Sequence, residues 1–155
     1  MILLTGSYRR TLDDKSRLAI PKQLRDALGL TEPAVLYLAP GTDGSLAIYT
    51  KEVLEQLGQL LAAASPVAQE HRSFSRLFYA QAQMAEIDRQ GRLRIPPELS
   101  QLAKITSEVV LLGVRDHLEL WDAQTWEVYL ALNQPSYDRL AESALARPAS
   151  QTTRP

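Results

Sequence analysis

Residues 12–24 read LDDKSRLAIPKQL, and residues 87–99 read IDRQGRLRIPPEL. A near-repeat of this kind constrains the fold more tightly than any composition, because it makes the chain two like units. At an offset of 75, Asp13 falls on Asp88, Arg17 on Arg92, Leu18 on Leu93, Ile20 on Ile95 and Pro21 on Pro96. Leu24, Thr31 and Leu36 then fall on Leu99, Thr106 and Leu111. Past the next loop the second copy is three residues shorter. At an offset of 72, Leu46, Ile48 and Tyr49 meet Leu118, Leu120 and Trp121. Two ordered blocks that share one gap are a duplication, not a coincidence.

Each copy has the same local grammar. RLAIP and RLRIP alternate, with Leu18 and Ile20, or Leu93 and Ile95, on one face of a half-buried strand. SYRRTL and AQMAEI precede them and are expected to serve as their hairpin partners. Pro21 or Pro96 ends the strand and suits a first helical position. The short helix that follows carries Leu24, Ala27 and Leu28 on one side and stops at Gly29. AVLYLA and EVVLLGV are runs of buried-strand length, and GTDGS supplies the turn before the last strand of the first copy. A unit of about four strands and one helix is too small to bury its own faces. The two copies are therefore expected to form pseudo-symmetric halves of one α+β barrel. Residues 51–80 read as two helices broken at Ser65-Pro66, with Ser65 as N-cap and Pro66 in the first turn. Residues 123–145 read as helix interrupted by Pro135, and RPASQTTRP reads as a disordered tail.

Asp13 and Arg17 are four apart, as are Asp88 and Arg92, which on a helix would be an ordinary ion pair. Strand signals on both sides and Gly91 in the second copy favour a hairpin with a three-residue loop. The third loop position is left-handed and suits glycine; Ser16 there costs roughly 1–2 kcal/mol. Asp13 and Asp88 then brace their hairpins against Arg17 and Arg92. The cations around the tips admit a second role. Lys15 with Arg17, Arg9 and Arg10, and Arg89 with Arg92 and Arg94, would stand on an exposed edge. A two-stranded β-ribbon can enter a DNA major groove, where Arg or Lys reads guanine and flanking cations hold phosphates. On the residues alone, bracing and reading both stay open.

Composition narrows the alternatives. Net charge is −1, yet residues 1–30 hold six Lys and Arg against three Asp, a locally basic end. Cysteine is absent, so no thiolate metal site or disulfide exists. The opening MILLTGSYRR is too short for a signal peptide, and no run has membrane-spanning length. His71 and His117 are the only histidines, without HExxH, G-x-S-x-G or a phosphate loop. Asp13-Asp14 and Asp116-His117 read as solvated turns. Tyr49, Trp121 and Trp126 read as core or subunit-contact aromatics. No catalytic residue, metal or cofactor is expected.

The hairpins DDKSRLAIP and DRQGRLRIP, with the closing GVRDHLELWD, resemble the MraZ family, whose members carry tandem AbrB-like swapped-hairpin modules. The likeness covers roughly residues 5–132. It implies a swapped-hairpin barrel with repeat 1 at 5–54, a helical connector at 55–80, repeat 2 at 81–125, C-terminal helices at 126–146 and a tail at 147–155. It also implies a cytoplasmic, nucleoid-associated transcriptional regulator that forms closed rings, such as an octamer. Such rings bind direct repeats in double-stranded promoter DNA upstream of the division and cell-wall gene cluster. The family's DNA-contacting positions fall on Lys15 and Arg17 with Asp13 as brace, and in the second copy on Arg92 with Asp88. Arg9, Arg10 and Arg89 are flanking candidates. Ser16 departs from the family's glycine and Gln90 from its lysine, so the first tip is expected to read DNA better. An AbrB-type antitoxin or a ring-forming scaffold for another protein are the rival readings.

Overall fold

The computed structural model describes residues 2–64 and 67–146. The chain divides into two units, Met1–Ala123 and Gln124–Pro155. In the first unit, copy one supplies β1 (Ser7–Thr11), β2 (Arg17–Ala19), α1 (Lys22–Leu28), β3 (Val35–Pro40) and β4 (Leu46–Tyr49). Two connecting helices follow, α2 (Lys51–Ala63) and α3 (Gln69–Gln81). Copy two supplies β5 (Gln83–Glu86), β6 (Arg92–Arg94), α4 (Pro97–Leu102), β7 (Glu108–Val114) and β8 (His117–Asp122).

The main sheet runs β1-β7-β8-β4-β3-β5, antiparallel throughout, and β2 pairs with β6 in a separate two-stranded ribbon. Exchanging the copies turns β1 into β5, β2 into β6, β3 into β7 and β4 into β8. That exchange merely reverses the strand order, so the topology itself is two-fold symmetric. Of the six ladders among the described residues, β3–β4 and β7–β8 lie within a copy. The other four join one copy to the other.

This pairing corrects two expectations. SYRRTL does not pair with RLAIP: Ser7–Thr11 pairs with β7, register Tyr8 to Leu111, and β5 pairs with β3. Period-2 alternation marks which face a strand buries, not which neighbour it takes. Nor do the ladders close into a barrel. β2 and β6 are three residues long and pair with each other, so β1 and β5 remain the edges of an open sheet. A single bridge, Ile87 to Leu93, carries the second hairpin one step beyond its turn.

The duplicated apolar positions form the core. Leu18, Ile20, Leu24, Leu36, Leu46 and Ile48, with counterparts Leu93, Ile95, Leu99, Leu111, Leu118 and Leu120, are each at most 3% exposed. α1 packs Leu24 and Leu28 inward and stops at Gly29, whose φ of 63° lets its N–H bond the Asp26 carbonyl. Its first residue is Lys22, so Pro21 stands just before the helix and not inside it. The counterpart of Gly29 is Lys104, also left-handed at φ 52°. Thr50 caps α2 by accepting from the Val53 N–H at 3.3 Å. The buried Asp122 carboxylate accepts both the N–H and the hydroxyl of Thr106, at 3.0 and 2.7 Å, and fixes the entry to β7 against the end of β8.

GTDGS turns as expected, with Asp43 and Gly44 left-handed and the Gly41 N–H on the Ser45 carbonyl. The expected break at Ser65-Pro66 lies outside the described residues; α3 begins at Gln69, after Ala68. In the second unit α5 (Ala123–Asn133) passes through a 3₁₀ turn at Gln134–Ser136, where Pro135 interrupts, into α6 (Tyr137–Leu145). Trp126 stacks on Tyr129, ring centres 5.7 Å apart. The expected tail at 147–155 lies outside the described residues.

Leu18 and Leu93 face each other across the β2–β6 ribbon and are fully buried. Leu18→Ala and Leu93→Ala should each lose about 2–5 kcal/mol in denaturant unfolding. The double variant should lose less than the sum, because both deletions open one cavity. Full additivity would mean that the two leucines do not share a packing site.

A candidate nucleic-acid interface at two paired turns

The sequences DDKSR and DRQGR fold into the same turn. In the first, the Asp13 N–H donates to the Arg17 carbonyl (3.2 Å) and the Ser16 N–H to the Asp13 carbonyl (3.0 Å). The Asp13 side chain fills the turn. Its Oδ1 accepts the Lys15 and Arg17 backbone N–H groups, both at 2.9 Å, and its Oδ2 accepts Arg17 Nε at 2.6 Å. The second turn reproduces the set. Asp88 Oδ1 accepts the N–H groups of Gln90 and Arg92, and Oδ2 accepts Arg92 Nε, each at 2.9 Å. The third loop residue is left-handed in both, Ser16 at φ 56° and Gly91 at φ 78°.

These contacts set the charge state. The Arg17 backbone N–H, then the Arg17 guanidinium and the Lys15 N–H, hold the Asp13 carboxyl below its ordinary value. The Arg92 N–H does the same for Asp88, helped by the Arg92 side chain and the Gln90 N–H. Each arginine is held to its own turn's carboxylate through Nε.

The ribbon brings the turns together. β2 and β6 pair with Arg17 opposite Arg94, Leu18 opposite Leu93 and Ala19 opposite Arg92. The leucines point into the core, so alternation turns Arg17, Arg92 and Arg94 to the other face. There Arg92 Nη1 lies 3.7 Å from Asp13 Oδ2, an ion pair between the copies. Asp14, Lys15 and Ser16 at one tip, and Arg89 and Gln90 at the other, are exposed. Asp14, Lys15, Ser16, Arg17 and Arg94 line a shallow cleft beside the first tip. The outcome is a face with five cations (Lys15, Arg17, Arg89, Arg92, Arg94) and three carboxylates (Asp13, Asp14, Asp88). Such a face suits a polyanion that presents both phosphates and hydrogen-bond acceptors.

Of the residues singled out from sequence, Asp13, Arg17, Asp88 and Arg92 form this cluster, while Lys15 and Arg89 occupy its two tips. Arg9 and Arg10 stand elsewhere, on the edge strand β1. The Arg10 guanidinium donates to the Arg9 carbonyl at 2.8 Å and lies over the Tyr8 ring. The ribbon also differs from expectation. Its two strands come one from each copy, so neither hairpin is a free-standing two-stranded arm. Arg94 joins the face through a cross-copy register that no local pattern encodes. Arg25 was invisible for the same reason. Its guanidinium lies over the second turn, where a Cβ added to Gly91 would sit 2.8 Å from both Cζ and Nε. Asp116 and His117 form a separate pair in the β7–β8 turn, Oδ1 to Nδ1 2.9 Å. Among the described residues, no group of His, Asp and Glu is arranged to hold a metal ion.

Two measurements test this geometry. A depressed carboxylate contributes stability that is complete above its unfolded value and is lost as pH falls through its folded value. Carbonyl-carbon NMR titration should therefore place both Asp13 and Asp88 below 3.8, with the turns losing support only under that pH. Midpoints at or above 3.8 would show that the turn N–H groups do not hold the charged form. Replacing Ser16 by Gly should gain up to about 1 kcal/mol, the relief of left-handed strain less the added chain entropy. Gly91→Ser should lose at least about 1–2 kcal/mol, since the left-handed strain is joined by the Arg25 collision. Melting curves that move the other way would remove the left-handed turn.

The comparisons with known proteins agree with the duplication. The profile of the family described as "MraZ protein, putative antitoxin-like" matches twice, over residues 3–77 and 78–147. A relative from Mycoplasmoides gallisepticum, named Transcriptional regulator MraZ, is 34% identical over 141 residues, covering 91% of this chain and 96% of the relative. The relative of the same name from Moorella thermoacetica is 34% identical over 140 residues, covering 90% and 95%. That from Rhodococcus opacus is 36% identical over 143 residues, covering 92% and 97%. The relatives carry the name of a regulator and not of an enzyme.

Proposed function

The chain belongs to the MraZ family, and we propose that it is a transcriptional regulator whose ribbon face reads promoter DNA. The observation that carries this reading is the juxtaposition of the two turns. Turns from the two copies are joined on one face by the Arg92–Asp13 contact, with Lys15, Arg89 and Arg94 around them. Lys15 and Arg17 are the proposed base-reading pair; in the second turn Arg92 is the counterpart of Arg17, with Arg89 beside it where Gln90 takes the place of Lys15. Arg94 is added to the phosphate-holding set, and Arg9 and Arg10 are flanking cations. Asp13 and Asp88 keep the arginines aimed. The interleaved ladders support the swapped-hairpin class, with each copy's first strand lent to the other.

The proposed targets are direct repeats upstream of the division and cell-wall gene cluster, including the chain's own promoter, reached in the cytoplasm at the nucleoid. No helix among the described residues is long and apolar enough to cross a membrane. The protein is proposed to work as a homo-oligomeric ring. Supporting this, Phe74 and Leu77 of α3 and Leu102 of α4 are 45%, 64% and 48% exposed around one apolar groove. In the second unit Leu132, Tyr137 and Leu145 are exposed as well. Apolar surface of this extent favours association. Linked copies facing repeated sites gain through effective concentration what one modestly charged face lacks.

Light scattering at micromolar concentration should give a mass several times that of the chain; a monomer would sink the ring. In gel shifts, the DNA upstream of the chain's own gene should be retained in preference to shuffled DNA of equal length. Lys15→Ala and Arg17→Ala should abolish or greatly weaken that shift with the oligomer mass unchanged. Asp13→Ala should weaken the shift and lower the melting temperature modestly. Wild-type binding by both Lys15→Ala and Arg17→Ala would place the DNA surface elsewhere.

A further inference from the structure

The two turns share a backbone design, yet their supports differ. Each turn passes a carbonyl to the other copy's strand: the Ile20 N–H bonds the Gly91 carbonyl at 3.0 Å, and the Ile95 N–H bonds the Ser16 carbonyl at 2.9 Å. The first turn meets the opposite copy through its carboxylate, Asp13 to Arg92, whereas the second has a helix arginine of the opposite copy laid against its glycine. Arg25, in the last turn of α1, donates Nε–H to the Ile20 carbonyl at 3.0 Å. Its Cζ and Nε fill the place where a Cβ on Gly91 would stand, 2.8 Å from each. Gly91, Ile20 and Arg25 thus form a closed triangle, turn to strand to side chain. The counterpart of Arg25, 75 residues on, is Ser100, which cannot reach in the same way.

From this asymmetry we infer that Arg25 is a positioning residue that locks the second turn, making the two turns of one chain mechanically unequal. The inference rests on the DNA-reading role proposed for the turns and adds a division of labour between them. The Asp88–Arg92 turn is preformed, because glycine lets the guanidinium lie directly on its backbone. The Asp13–Arg17 turn, with exposed Ser16 at its tip, is left to adjust. Gly91 is then required on two grounds, its left-handed φ and the arginine above it. Exposed Ser16 meets the first, in keeping with serine standing at one tip and glycine at the other.

Hydrogen exchange on the full-length protein, without DNA, tests the lock directly. Arg25→Ser should speed amide exchange across residues 88–92 severalfold and leave residues 13–17 unchanged. Arg25→Lys should do the same, because a lysine ammonium cannot reproduce the Nε–H bond at that position. It also keeps the experiment decisive if Arg25→Ser does not fold. Equal acceleration of both turns, or of neither, would overturn the lock. Adding Gly91→Ala supplies a second readout: it should disturb the turn more with Arg25 present than in the Arg25→Ser background.

Affinity for the upstream DNA then separates positioning from phosphate contact. Both Arg25→Ser and Arg25→Lys should lose affinity severalfold with the salt slope unchanged. Suppose instead that Arg25→Lys binds like wild type while Arg25→Ser binds weakly, with a slope smaller by about 1. Arg25 would then be holding a phosphate, and positioning would be wrong. Failure of the wild-type protein to bind would defeat the DNA role alone, since the exchange measurement decides the lock without it.

Discussion

The ladders that cross between the copies are the constraint from which the rest of the structure follows. Neither copy can satisfy its own strand edges, because β1 finds its partner in β7, β3 in β5, β4 in β8 and β2 in β6. A half-molecule would expose these edges and the leucines behind them. Interleaving also decides where function can sit. The β2–β6 ribbon is where the chain's two copies meet in short strands of three residues, so the loops that feed those strands must emerge side by side. The charged face is a by-product of burying Leu18 against Leu93.

Within that face, the contributions of the aspartates are unequal. The visible partner of each is an arginine, which suggests an ion pair on a half-exposed surface, a weak interaction in water. The backbone bonds matter more. Each carboxylate accepts two main-chain N–H groups of its own turn, charge-assisted bonds roughly twice as strong as neutral ones. The first cause of the lowered Asp13 and Asp88 pKa values is correspondingly the backbone N–H of Arg17 or Arg92, ahead of its guanidinium. The aspartates therefore shape the turns first and steer the arginines second. An Asn could keep part of the shape but would give up the negative charge that holds Nε.

Much of this was legible in the sequence, and the missing part has one physical cause. Periodicity exposed the paired core positions, and Gly91 beside Ser16 exposed a left-handed third loop residue. Pairing partners were hidden. Alternation in SYRRTL says that one face is buried, and it is equally compatible with β2 or β7 as neighbour. A closed barrel was the economical solution for two small halves, but three-residue strands cannot extend the ladder to the sheet edges. Arg25 reads locally as one more cation in a helix C-terminal turn, where a positive charge is ordinary. Its contact with Gly91 exists only because the copies interleave.

The charge balance of the face bears on how such a surface could work. Five cations offset by three carboxylates give a small surplus, and two of the five are already engaged by aspartates. Counterion release from one such face is limited, so one chain gains little non-specific affinity. A weakly charged face is then less liable to be captured by arbitrary DNA, and discrimination falls to the geometry of the arginines. Binding strength has to come from number, through copies linked at fixed spacing. Under this division, rigid turns are more useful than additional lysines. A preformed tip loses less conformational freedom on each contact, and that saving is repeated in every subunit that docks.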